Sequence, residues 1–424
     1  MISFFDLFAI LLLLTAAFGW LNQVFFHLPS NIGLLLMGVA TALIVLLIDL
    51  VLPGTPLVDE LGAILRKIDF YDAVMNGMLA FLLFAGALHV NWPRLRKSLL
   101  PVTAMATVGV VISTVVVGFG LWGLGMLLGV NLPLAWALVF GALISPTDPV
   151  AVLALLKQVQ IPELLETEIS GEALFNDGVG VVLFSMLLTV AATGDHAVSF
   201  LGAFRLFLLE AVGGAILGLV TGYAAFHAMR LIDDYVVEVF ISLALVMGTY
   251  ALAGQLQISG PIAVVVAGLL IGERGPSDAM SETTQRYLFN FWALIDELLN
   301  SVLFLLIGLE LIVVGLNFRF GWLALLTIPL VFVARAASVV IPITALGYYV
   351  RFIKGTIPVM IWGGVRGGIS IALALSLPYG DERSIILIAT YAVVLFTIIV
   401  QGLALKPVIR RTVPSSRNAP AETE

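Results

Sequence analysis

The sequence predicts an all-α polytopic membrane protein of about thirteen transmembrane helices, and three observations carry that reading. Of the 424 residues 61% are hydrophobic and only 11% charged, and mean hydropathy is +1.13, more apolar surface than a water-soluble core needs. The apolar residues come in runs of roughly 18 or more, the length that carries a helix across a bilayer. Two of those runs are broken by segments that a plain helix avoids, Ser145-Pro146-Thr147-Asp148-Pro149 and Gly363-Gly364-Val365-Arg366-Gly367-Gly368.

The spans are expected at about residues 3–22, 31–52, 70–90, 99–121, 132–157, 163–192, 200–230, 234–254, 259–272, 287–315, 320–348, 355–378 and 384–405. The first carries Asp6, lacks a basic start and shows no small-residue cleavage site, so it reads as a retained helix and not a signal peptide. The third ends near His89, a helix-end histidine that reads as solvated more readily than as a pH sensor. Arg94, Arg96 and Lys97 follow it and read as headgroup anchors that fix topology.

The fifth span holds Pro146 and Pro149, each without an amide donor and each clashing with a preceding carbonyl, so its helix should unwind there. The sixth carries Gly171-Glu172-Ala173-Leu174-Phe175-Asn176-Asp177-Gly178, two carboxylates and a carboxamide at membrane depth. An ionisable residue there normally faces a bundle interior or a wet cavity and marks an ion or proton path, the bland alternative being an ion pair that only pins helices. In the tenth span Asp296 and Glu297 read either as hydrated interfacial residues or as the lining of a cytoplasmic funnel. The eleventh and twelfth carry Arg335 and Arg366, cations that need partners, and in the twelfth four glycines around Arg366 permit unwinding and close approach.

An odd number of spans puts the two ends on opposite sides. With the C-terminus cytoplasmic, thirteen basic residues fall inside against five outside, so the N-terminus is expected outside. If spans 1–6 and 8–13 are halves joined by span 7, the breaks fall in the fifth member of each half and the halves are inverted. Discontinuous helices at matching places in two repeats point to a transporter's midplane ion site. The residues after about 406 read as a short, basic, disordered cytoplasmic tail.

Half-helix ends carry partial charges, positive at amide ends and negative at carbonyl ends. Asp148 is suited to the first kind, and Arg366 to carbonyl ends or a carboxylate. Thr147 and Asp148 add oxygens of the kind a hard alkali cation takes. A carboxylate removed from water holds a proton more readily, so Asp177 is the expected site where a proton and a metal cation exclude one another. Glu172 with Arg366 is the expected permanent ion pair, because a guanidinium does not deprotonate.

Phe175-Asn176-Asp177-Gly178 after Glu172, the Thr147-Asp148-Pro149 break and Gly364-Val365-Arg366-Gly367-Gly368 together resemble the monovalent cation:proton antiporters of the NhaP and NHE type, over nearly the whole chain. The resemblance implies an inverted-repeat antiporter fold and Na+ or Li+ exchanged for H+ without an enzymatic step or a cofactor. It matches Asp177 to the ion-carrying aspartate, Asn176 to its neighbour in an electroneutral Asn-Asp motif, and Thr147 and Asp148 to the lining of the ion site. It matches Glu172 and Arg366 to a buried ion pair and Arg335 to a structural arginine. Pro146, Pro149, Gly364 and Gly367 fall in the breaks. It also implies a homodimer in the lipid of the cell membrane. The core helices would then cover about 98–193 and 318–405, the interface helices about 1–97 and 233–317, and the linker helix about 198–231.

Two positions depart from that pattern. Ala173 stands where relatives often carry serine, so an oxygen ligand there falls to a water or a backbone carbonyl. The third span lacks an acidic residue that relatives often carry.

The motifs do not encode ion size, so K+/H+ exchange stays open. A hydrolase using Glu172 and Asp177 is disfavoured because no HExxH helix and no paired aspartyl-protease motifs occur. A passive channel is disfavoured by a titratable site between paired breaks. No cysteine is present and the four histidines are scattered, which leaves no basis for a thiolate or histidine metal centre. The net charge of −7 assigns no partner, nucleic acid included.

Overall fold

The computed structural model describes residues 4–52, 57–65, 69–148, 152, 161–193, 200–314, 320–350 and 352–413, and these fold into helices with no strand among them. Helices apolar on all sides bury themselves in one another and in lipid, where every backbone N–H and C=O must be satisfied within the segment. Ten described helices are long and apolar enough to cross a membrane. They are Phe5–Phe26, Ser30–Val51, Phe70–Leu88, Leu99–Leu128, Glu163–Ala192, Arg205–Arg230, Tyr235–Leu256, Glu282–Val314, Gly321–Leu346 and Asp381–Thr412, in the places of spans 1–4, 6–8, 10, 11 and 13.

The other three spans are short or broken. Span 9 is Gly260–Arg274, lengthened by a π-helical turn over Gly275–Ala279. Span 5 is helical over Leu134–Ile144 and then leaves the helix. Pro149 and all of its second half except Val152 lie outside the described residues. Span 12 consists of two short helices, Thr356–Trp362 and Gly368–Leu375, with a non-helical segment between them.

Two short helices were not anticipated, Leu57–Leu65 and Trp92–Lys97. The second carries Arg94, Arg96 and Lys97, has Pro93 in its first turn, and is capped by Asn91, whose side chain accepts from the Arg94 amide at 3.1 Å.

Spans 4, 5, 6, 11, 12 and 13 pack on one another around the breaks, with span 5 against spans 4 and 6 and span 11 against spans 4 and 13. Span 2 lies along span 10, span 3 along span 9, and span 9 also meets spans 7 and 8. Trp292 locks span 10 in place: its indole N–H donates to Ser242 Oγ at 3.0 Å, and the Phe84 ring sits 4.7 Å away.

Candidate functional site

The two breaks cross. Where span 5 unwinds, the Asp148 amide donates to the Val365 carbonyl of span 12 at 2.8 Å, so the extended segments exchange a backbone hydrogen bond. In a continuous helix the Ser145 carbonyl would accept from residue 149, and a proline there has no N–H to give. The Arg366 guanidinium takes that place. Its Nη1 donates to the Ser145 carbonyl and, at 2.9 Å, to the Pro146 carbonyl, which neutralises the negative end of the half-helix Leu134–Ile144. The Arg366 backbone N–H is held at 3.1 Å by Thr397 Oγ1, at the head of a π-helical turn in span 13.

This corrects the expected pairing. Glu172 is not the hydrogen-bonding partner of Arg366; it forms a two-pronged ion pair with Arg335 of span 11, Nη1 on Oε1 and Nη2 on Oε2 at 2.9 Å. The guanidinium fork matches both carboxylate oxygens and has donors left over. Nε and Nη2 also reach the Met360 carbonyl, at 3.1 and 2.9 Å, in the last turn of the half-helix Thr356–Trp362. Each arginine therefore serves the carbonyl end of one broken helix, and of the two, among the described residues, Arg335 is the one that also hydrogen-bonds a carboxylate.

Two glycines make this approach possible. A Cβ on Gly364 would lie 2.6 Å from Arg335 Nε, and one on Gly367 would lie 2.6 Å from Asp148 Cβ and run into its carboxylate.

Against the crossing lies span 6. The Asn176 carboxamide donates to Thr147 Oγ1 at 2.8 Å and faces the Thr147 amide at 3.4 Å, so it clamps the unwound segment from both sides. Asn176 acts on the site through Thr147. Asp177, one residue on, is buried at 6% exposure and has Asp148 as a like-charged neighbour. Among the described residues no arginine or lysine pairs with it. Ala173 is buried in the same helix and offers no oxygen from its side chain.

Asp148 and Asp177 both line a cavity of about 850 Å³. Glu163, Glu166, Ser170, Leu174 and Asp177 line it too, at helical spacing, so one stripe of span 6 runs from mouth to floor. Asp177 lies fourteen positions after Glu163, which puts the aspartate about 21 Å down the helix. Asp296 and Glu297 line the cavity, as the funnel reading expects, and so does His89, whose Nδ1 lies 2.7 Å from the Ala85 carbonyl. At the mouth Arg94 forms an ion pair with Glu163.

The sequence reading missed Asn31, Asn300 and Ser370 as lining residues. Ser370 Oγ also donates to the Leu143 carbonyl at 2.8 Å, another tie between spans 12 and 5. The stripe from Glu163 to Asp177 was visible in the sequence as a 3-4-4-3 spacing of polar and cavity-lining positions.

Comparison with known proteins agrees with this architecture. The transmembrane family described as sodium/hydrogen exchanger matches residues 7–411. The chain is 45% identical over 420 residues to the Na(+)/H(+) antiporter NhaP of Pseudomonas aeruginosa, covering 96% of each. It is 36% identical over 389 residues to the Na(+)/H(+) antiporter NhaH of Halobacillus aidingensis, covering 90% of this chain and 92% of that one. Its fold matches the sodium proton antiporter MjNhaP1 of Methanocaldococcus jannaschii with a TM-score of 0.73 at 20% identity, over 96% of this chain and 99% of the other. The broken-helix crossing, the buried Asn176-Asp177 pair and the acidic cavity above them are thus parts of a protein that belongs to the sodium/hydrogen exchanger family.

Proposed function

We propose that this chain exchanges Na+, or Li+, for H+ one for one across the cell membrane, with Asp177 binding cation and proton in turn. The observation that carries the proposal is the placement of Asp177, buried at the floor of an acidic cavity beside two half-helix ends, with the nearby arginines engaged elsewhere. A carboxylate there has to be compensated, and either a proton or a monovalent cation compensates it. Thr147 and Asp148 supply further oxygens for the cation, while Asn176, Arg366 and the Glu172–Arg335 pair hold the crossing in place. With one cation traded for one proton at one carboxylate, the exchange moves no net charge.

The exchange proceeds by alternating access. Spans 4–6 and 11–13 carry the crossing as a core, and spans 1–3 and 8–10 form the scaffold against which it moves, in a homodimer. The cavity mouth lies at the loops after spans 1, 3 and 5, lined by Pro29, Asn91 and Glu163. In a chain that alternates sides at each span, these loops share the side of the C-terminus, the side richer in Lys and Arg. The mouth is therefore cytoplasmic, the N-terminus outside, and the conformation inward-open.

The test is reconstitution into proteoliposomes with an imposed proton gradient, challenged separately with Na+, Li+ and K+. Na+ and Li+ are expected to collapse the gradient in the parent and not in Asp177→Asn. Parent-like exchange by that variant contradicts the proposal, and collapse by K+ moves the assignment to K+/H+ exchange.

A further inference from the structure

We propose that the cavity wall formed by spans 2 and 10 holds a second monovalent-cation site, built from Asn31 and Asp296 with Asn300 as positioning residue, where an incoming cation pauses before it reaches Asp177. The identity of the ion rests on the exchange reading above, whereas the geometry stands apart from it.

Asn31 is 4% exposed, lines the cavity, and its Oδ1 has no hydrogen-bond partner among the described residues. A buried acceptor left unsatisfied carries its desolvation penalty uncompensated, so this oxygen calls for a donor or a cation from the cavity. The register of spans 2 and 10 says what stands beside it. Spans 2 and 10, both even in a chain that alternates sides, run in the same direction and meet where a Cβ on Gly38 would lie 3.0 Å from Gly308 Cα, with Ala42, Val45, Leu309 and Ile312 sharing one buried cluster. Two turns back along both helices, Asn31 comes level with the turn containing Asn300.

Asn300 Nδ2 donates to Asp296 Oδ1 at 3.0 Å and to the Asp296 carbonyl at 2.9 Å. That fixes the carboxylate one turn nearer the mouth, with Glu297 beside it. Asn31, with its unsatisfied amide oxygen, and Asp296, with a carboxylate held in place, both line this wall and belong to the hard-oxygen set that a dehydrating alkali cation takes. The first turn of span 2 adds a partial positive charge near Asn31, equivalent to about half a unit, which the carboxylates of Asp296 and Glu297 outweigh. Such a site is separate from the floor, because it lies on spans 2 and 10 whereas Asp177, Asp148 and Thr147 lie on spans 5 and 6.

Sodium-23 NMR of the purified full chain in detergent separates a built site from a diffuse ion cloud. In the Asp177→Asn variant, whose floor site is disabled, saturable line broadening by Na+ is expected to persist. Adding Asn31→Leu, which removes an oxygen without changing any charge at the acidic mouth, is expected to abolish it. In the otherwise native chain, Asn31→Leu should raise the apparent KM for Na+ about tenfold, as loss of one ligating oxygen implies, and lower the maximum rate far less.

No saturable broadening in Asp177→Asn overturns the second site. Broadening that survives Asn31→Leu does so too, and shows that the amide holds only water. If Asn31→Leu does not fold, Asp296→Asn in the Asp177→Asn background decides by the same readout, loss supporting the site and retention overturning it. Proton exchange by Asp177→Asn at the parent's rate would instead sink the exchange reading, an outcome distinct from any of these.

Discussion

Glu172 and Arg335 are both nearly inaccessible to solvent and meet through two parallel hydrogen bonds. Removing one partner of such a pair costs about 3–5 kcal/mol, while replacing both with apolar residues is often close to neutral. The cost should be unequal here, because an orphaned carboxylate can take up a proton and an orphaned guanidinium cannot lose one. Glu172→Leu is therefore expected to lower the thermal unfolding midpoint in detergent more than Arg335→Leu, and the double variant to recover much of the loss. Equal and additive losses would contradict the pairing. The sequence reading paired this carboxylate with Arg366 and left Arg335 a structural role, because hydropathy carries no information on which of two buried cations faces a given helix. A finer accounting would have separated them. Pro149 denies the Ser145 carbonyl its helical donor, and a nearby guanidinium is the natural replacement.

At the scale of elements, the spans were legible because length and apolarity are written directly into the chain, and both breaks were legible because Pro146, Pro149 and the glycines around Arg366 forbid or relax a continuous helix. The π-helical turns were not legible. The turn over Thr397–Gln401 shifts the register of span 13 by a fraction of a turn, leaves hydropathy unchanged, and puts Thr397 on the Arg366 amide. Nor was the short helix Trp92–Lys97 expected, because its basic residues read as a loop at the headgroups. The crossing itself makes a sharp prediction. Gly367→Ala places a methyl group against Asp148, so Na+-driven proton flux should fall by at least about tenfold, the effect of roughly 1.4 kcal/mol at the site, while the purified protein keeps its unfolding midpoint within a few degrees. Parent-like flux would show that the Asp148 carboxylate need not sit where the crossing puts it.

Over the whole molecule, the cavity joins residues far apart in the chain, Asn31, Asp177, Asp296 and Ser370 among them, and this convergence is invisible until spans 2, 6, 10 and 12 are packed together. The absence of cysteine makes its direction of opening easy to measure, because any introduced thiol is the sole target. Ser170→Cys, on the stripe between Glu166 and Asp177, is expected to react with a membrane-impermeant maleimide from the cytoplasmic face. Labelling only from the outer face would reverse the orientation argued from Lys and Arg placement.

One buried carboxylate serving both ions in turn leaves its mark on the pH dependence of Na+ kinetics. If proton and cation compete for Asp177, lowering the pH on the Na+-binding side raises the protonated fraction. The apparent KM for Na+ should then climb by up to about tenfold per pH unit on the acid limb, with the maximum rate unchanged. A KM that stays constant while the maximum rate falls would mean that proton and cation occupy separate sites, and would contradict the account.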